Sequence, residues 1–195
     1  FANTDHKILM DILTRYISDN DILWLLRTVI ENFSSAQKKE RYDASYRSVY
    51  LGVGLPLGNL TSQLLVNIYM NEFDQFMKHR LKVKHYVRYS DDFVVFSSSR
   101  EQLEQFIPPL RDFLRHRLKL ELHPDKVFIT TLTSGVDFLG WVHFPDHRVL
   151  RTTTKRRMLK RIAERDSEAT RQSYLGLLRH GNSYKLRQQI FVPLP

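Results

Sequence analysis

Apolar residues recur at three- and four-residue spacing over His6–Tyr16 and Asp21–Phe33, which predicts two amphipathic helices, the first capped by Asp5. Residues 34–50 are polar and charged and predict a loop or a short hairpin. Gly52 to Gly58 holds three glycines and a proline, so the backbone must bend there and can approach another chain or a ligand closely. A long helix is expected over Leu60–His79, with Leu64, Leu65, Ile68, Phe73, Phe76 and Met77 on one broad face. Two short apolar runs follow, His85–Tyr89 and Phe93–Phe96, with Ser90-Asp91-Asp92 between them, a tight β-hairpin signal. Ser98–Arg117 has helical spacing, with Ser97, Ser98 and Ser99 all available as caps. Leu118–Leu122, Val127–Thr131, Val136–Leu139 and Trp141–Phe144 are β-rich and predict strands. Arg156–Arg165 and Glu168–His180 predict helices, and Gly181-Asn182 opens a turn into a last short one. The order of elements is mixed α+β.

Composition adds bounds. With 42% hydrophobic residues the chain can bury a core. No cysteine is present, which removes disulfides and thiolate metal sites and fits a reducing compartment. No apolar run reaches the length that spans a bilayer. The net charge of +9 is concentrated: from Arg151 onward there are 11 Lys/Arg against 3 Asp/Glu. A near-neutral body with a basic last quarter suits contact with a polyanion, although a solvated helix face reads the same way.

The sharpest chemical feature is Asp91-Asp92. Adjacent carboxylates repel, so the pair is costly unless a cation sits nearby. Hard divalent cations prefer such oxygens and keep coordination sites open for phosphate. Aspartate is also common in turns for its own backbone hydrogen bonding. Here the apolar frames Tyr86–Tyr89 and Phe93–Phe96 would hold the pair rigidly at a sheet edge.

Tyr89-Ser90-Asp91-Asp92 resembles the Tyr-x-Asp-Asp box, motif C, of reverse transcriptases. Gly54-Leu55-Pro56-Leu57-Gly58, continuing through Ser62-Gln63 and Asn67 to Tyr69, resembles motif B. Leu122-His123-Pro124-Asp125-Lys126-Val127 resembles motif D, and Phe138-Leu139-Gly140-Trp141 resembles motif E, the primer grip. The resemblance implies a polymerase palm, an antiparallel sheet with helices packed on one face, over residues 1–148. A basic helical thumb, incomplete, would follow over 149–195, with the fingers absent. It implies Asp91 and Asp92 as metal-holding catalytic carboxylates and Lys126 as general acid. Phe1, Pro56, Leu57, Gly58 and Gln63 would border the nucleotide. Ser62, Tyr89, Phe138, Leu139, Gly140, Trp141, Lys155, Arg156, Arg157, Lys160 and Arg161 would contact template or primer. The implied cofactors are two Mg²⁺ ions, with Mn²⁺ able to substitute. The implied partners are template RNA, a DNA or RNA primer and dNTPs, in the cytoplasm of a bacterium or from a phage, without a membrane.

Phe1-Ala2-Asn3-Thr4-Asp5-His6 resembles the second half of motif A, so the first catalytic aspartate is expected just before residue 1 and the chain is expected to be an inactive fragment. Leu57 and Gln63 stand where group II intron enzymes usually carry glutamine and proline. Both resemble the reverse transcriptases of diversity-generating retroelements, as do Gly135–Trp141, Arg151–Lys155 and Gly176–Leu186. That subtype implies error-prone copying at template adenines and a small basic accessory protein. The alternatives are a group II intron-like or retron enzyme, or a non-catalytic palm that binds RNA or protein.

Overall fold

The computed structural model describes residues 2–32, 52–56, 58–165 and 167–191. The expected loop at 34–50 lies outside them. Two compact units divide the chain, Phe1–Val127 and Phe128–Pro195. The 136–143 hairpin lies in the second of these units, with the C-terminal helices.

The first unit holds α1 (His6–Leu13), α2 (Asn20–Asn32), α3 (Leu60–Gln75), β1 (His85–Tyr89), β2 (Asp92–Phe96) and α4 (Arg100–Leu118). Side chains fix the helix starts. Asp5 accepts from the Ile8 amide and Asp19 from Asp21 and Ile22. Asn59 accepts from Thr61 and Ser99 from Gln102. Each satisfies amides that have no intrahelical partner.

The buried stripe of α3 is Ser62, Leu65, Val66, Tyr69, Met70 and Phe73, extended by Met77 in a π-helical turn, Phe76–Arg80. Leu64, expected on this face, is 60% exposed. It lies nine residues before Phe73, which at 3.6 residues per turn places it on about the opposite side. α4 runs through Pro108-Pro109 because Leu110, Leu114 and Leu118, spaced by four, all enter the core.

β1 and β2 pair antiparallel, Val87 opposite Val94 and Tyr89 opposite Asp92. Their inner side chains Tyr86, Phe93 and Val95 pack on the helical core. Phe73 contacts the rings of Tyr86, Phe93 and Phe113 at 5.0–6.3 Å between centroids. Burying such a side chain contributes roughly 1.5–3 kcal/mol. The other face leaves Val87 and Tyr89 exposed, so the helices cover one side of the hairpin.

Two expected strands do not form. Leu118 ends α4 and is buried, Lys119 turns the chain with φ +47°, and the Leu120 amide donates back to the Leu114 carbonyl at 2.9 Å. That bond closes a helix and leaves Leu118–Leu122 without a ladder. Val127–Thr131 lies between two single 3-10 turns, Pro124–Lys126 and Leu132–Ser134, with no strand beside it among the described residues.

The second unit is a three-stranded antiparallel meander, β3 (Val136–Phe138), β4 (Trp141–His143) and β5 (Arg148–Leu150), followed by α5 (Thr152–Glu164), α6 (Glu168–Leu178) and α7 (Tyr184–Phe191). Trp141, Leu150, Met158, Ile162, Leu175, Leu178 and Ile190 form its core. β5 has no counterpart among the expected elements: three residues are too few to show a period of two.

Candidate functional site

The acidic hairpin closes more tightly than expected. Asp92 is the first residue of β2 and pairs with Tyr89, so the turn is Ser90-Asp91 alone. Ser90 has φ +56° and Asp91 does not share a positive φ, the signature of a type II′ turn, which matches the twist of the flanking strands. Asp91 and Asp92 are both exposed and make no ion pair among the described residues.

Arg88 underlies this turn. Its Nε and Nη2 donate to the two oxygens of Asp74 at 2.8 and 2.5 Å, a bidentate pair between β1 and α3. Its Nη1 donates to the Ser90 carbonyl at 2.7 Å and to Asn67 Oδ1 at 3.2 Å. The Tyr86 hydroxyl donates to Asp74 Oδ1 at 2.8 Å. Donating to the Asp74 carboxylate holds the Arg88 guanidinium firmly protonated, and burial together with Asp74 pushes the Tyr86 phenol up. The residue framing gave no hint of this set, because Arg88 and Asp74 lie on different elements.

The motif B segment is bent as its glycines suggest, with φ +98° at Gly54 and +85° at Gly58. Gly54 is buried, Pro56 half-buried and Gly58 exposed, with open space where a side chain at 58 would begin. Gln63 is exposed in the first turn of α3, where free amides favour anions. Ser62 is buried, 1% exposed. The segment is tied to the N-terminal residues by an isolated antiparallel bridge of Asp5 with Val53: Gly54 N–H donates to the Thr4 carbonyl at 2.8 Å and His6 N–H to the Gly52 carbonyl at 2.7 Å. His6 Nε2 donates to the Gly54 carbonyl at 2.7 Å. No role for His6 was legible; a lone histidine at a helix start carries no spacing signal. Lys126 sits exposed in the Pro124–Lys126 turn without an ion pair among the described residues.

In the second unit, Leu139 and Gly140 join β3 to β4 with φ +53° and +82°, the type I′ pattern, and Phe138 pairs with Trp141. Leu139 is 45% exposed at the tip, whereas Trp141 is buried in the unit's core. The Arg151 amide donates to the Gly140 carbonyl at 3.0 Å, fixing the turn against the start of α5. On α5, Met158 and Ile162 face the core, Lys155 is half-buried, and Arg156, Arg157, Lys160 and Arg161 are exposed. Phe1 and Leu57 lie outside the described residues.

Asp91 and Asp92 present hard oxygen donors on a rigid turn, the chemistry a divalent cation such as Mg²⁺ requires. No group of three or more metal-ligating side chains is gathered among the described residues. No helix among the described residues is long and apolar enough to cross a membrane.

Protein YkfC of Escherichia coli (strain K12) is 29% identical over 188 residues, covering 80% of this chain and 45% of that protein. Group II intron-encoded protein LtrA of Lactococcus lactis subsp. cremoris is 26% identical over 219 residues, covering 80% of this chain and 35% of that protein. The chain thus spans less than half the length of these relatives. Residues 1–143 match the family described as reverse transcriptase (RNA-dependent DNA polymerase), and the chain belongs to that family.

Proposed function

We propose that this chain carries palm and early thumb elements of an RNA-directed DNA polymerase, with the palm over 1–148 and the thumb over 149–195. The observation that carries this reading is the Tyr89-Ser90-Asp91-Asp92 turn, which aims two unpaired carboxylates outward from a rigid hairpin packed on α3. Asp91 and Asp92 hold the cations and Lys126 hands a proton to the departing pyrophosphate. Two Mg²⁺ ions, or Mn²⁺ in their place, supply hydroxyl activation and charge neutralisation when bound. Pro56, Leu57, Gly58 and Gln63, with Phe1, border the nucleotide. Tyr89 and the exposed Leu139 at the tip of the Phe138–Trp141 turn meet primer and template, while Ser62 and Trp141, both buried, support those contacts from within. Lys155, Arg156, Arg157, Lys160 and Arg161 follow the phosphate backbone, whose A-like hybrid shape is read without sequence.

Primer extension on an RNA template with Mg²⁺ and dNTPs tests this, using the complete polymerase. Asp91→Ala/Asp92→Ala abolishes synthesis while template–primer binding persists. Retained synthesis in the double variant removes the catalytic role and leaves a nucleic-acid-binding palm.

Within the family, Leu57 and Gln63 support an error-prone enzyme of a diversity-generating retroelement, working with a small basic accessory protein. Leu57 offers no hydrogen bond at the nucleotide, and discrimination built on polar contacts weakens accordingly. Leu57→Gln then lowers misincorporation opposite template adenine by a factor of about ten. The similarity to a group II intron-encoded protein favours the second reading, an intron-type enzyme, for which Leu57→Gln leaves the error spectrum unchanged.

A further inference from the structure

The network beneath the acidic turn reaches further than the turn itself. Asn67 and Asp74 are seven residues apart on α3 and so lie on one stripe of the helix. Arg88 lies across both and also grips the Ser90 carbonyl. Its side chain is only 11% exposed. The Ser90 hydroxyl is buried with no hydrogen-bond partner, so the tether from the turn to α3 runs through the main chain of Ser90. Gln63 lies one helical turn before Asn67 on the same stripe. The two carboxylates and the nucleotide-bordering end of α3 are thereby referred to one rigid rod.

We infer that Arg88 is a positioning residue: held by Asp74 and Asn67, it sets the Ser90-Asp91 turn, and with it the Asp91 and Asp92 carboxylates, at a fixed offset from Gln63 on α3. This rests on the polymerase reading of Asp91 and Asp92. A guanidinium suits the task because its planar fork serves Asp74 with one edge while Nη1 remains for the turn and Asn67. A lysine keeps the charge but, as a point donor, cannot satisfy these acceptors at once. Ser90 is held at a positive φ that serine rarely adopts, so loosening the tether lets the turn relax and the carboxylates drift.

The test uses the complete polymerase and compares wild type with Arg88→Lys, Asn67→Ala and Asp91→Ala/Asp92→Ala. The readouts are the Mg²⁺ concentration for half-maximal extension, kcat and KM for dNTP, template–primer affinity and Tm. Arg88→Lys is expected to raise the Mg²⁺ requirement by about tenfold and lower kcat, as loss of a group that orients metal ligands does. Template–primer affinity stays unchanged, and Asn67→Ala moves the Mg²⁺ requirement the same way by less. A fall in Tm and activity with the Mg²⁺ requirement unchanged shows a merely structural ion pair and overturns the inference. Should Arg88→Lys fail to fold, Asn67→Ala decides, since it removes one exposed bond; an unchanged Mg²⁺ requirement there overturns it too. Synthesis surviving in Asp91→Ala/Asp92→Ala would instead refute the polymerase reading itself.

Discussion

The Tyr69 hydroxyl donates a 2.6 Å hydrogen bond to the carbonyl of Leu118, the last residue of α4, with both side chains buried. A C-terminal helix carbonyl has no partner within its own helix, and α3 supplies one across the core. Tyr69→Phe keeps the ring and removes the donor, leaving a buried carbonyl unsatisfied. Stability is expected to fall by about 1–3 kcal/mol, read as a lower midpoint in urea with an unchanged slope. A midpoint within error of wild type would mean the carbonyl finds water instead.

The same phenol makes stability depend on alkaline pH. Burial pushes the Tyr69 pKa up to about 12 from 10.0. The folded state thus keeps its proton longer than the unfolded state, so the contribution is whole below pH 10 and is lost as pH rises from about 10 to about 12. Denaturation at a series of pH values should show a steeper alkaline loss in wild type than in Tyr69→Phe. Parallel curves would mean that other groups carry the alkaline loss.

Much of this fold is legible in residue spacing, and the exceptions share causes. The helix starts at Asp5 and Ser99 and the two hairpins carry strong local signals, caps in one case and paired apolar runs in the other. Leu118–Leu122 looks β-rich by composition, yet Leu118 completes the buried stripe of Leu110 and Leu114 on α4, so core burial overrides propensity. Of the candidate site, Asp91-Asp92 and the glycine bends stand out locally. Arg88, Asp74 and His6 do not, because their partners lie on separate elements and only folding joins them.

Gly181 is the closest-fitting glycine of the second unit. A Cβ there would overlap the indole of Trp141, which is buried and cannot swing out without opening the core. Overpacking of this kind costs typically about 1–3 kcal/mol. Gly181→Ala should lower the Tm and shift Trp141 fluorescence toward the red as the ring is displaced. Unchanged emission and Tm would show that the 181–183 turn yields instead of the ring.

Arg157 and Arg161 stand one turn apart on α5 and, with Thr154, Met158 and Tyr174, line a shallow depression. Both are exposed, so neither is needed to hold the unit together. If they meet phosphates, their charge displaces counterions from the nucleic acid, and that contribution appears in the salt dependence rather than in any sequence preference. Arg157→Ala/Arg161→Ala should weaken template–primer binding equally on different sequences and reduce the slope of log affinity against log salt by about 1–2. Lys160→Ala should change the slope less, because Lys160 is already near Glu164 at 3.6 Å. A double variant with the wild-type slope would make this face a solvated or protein-contacting surface, and the thumb reading of α5 would fall.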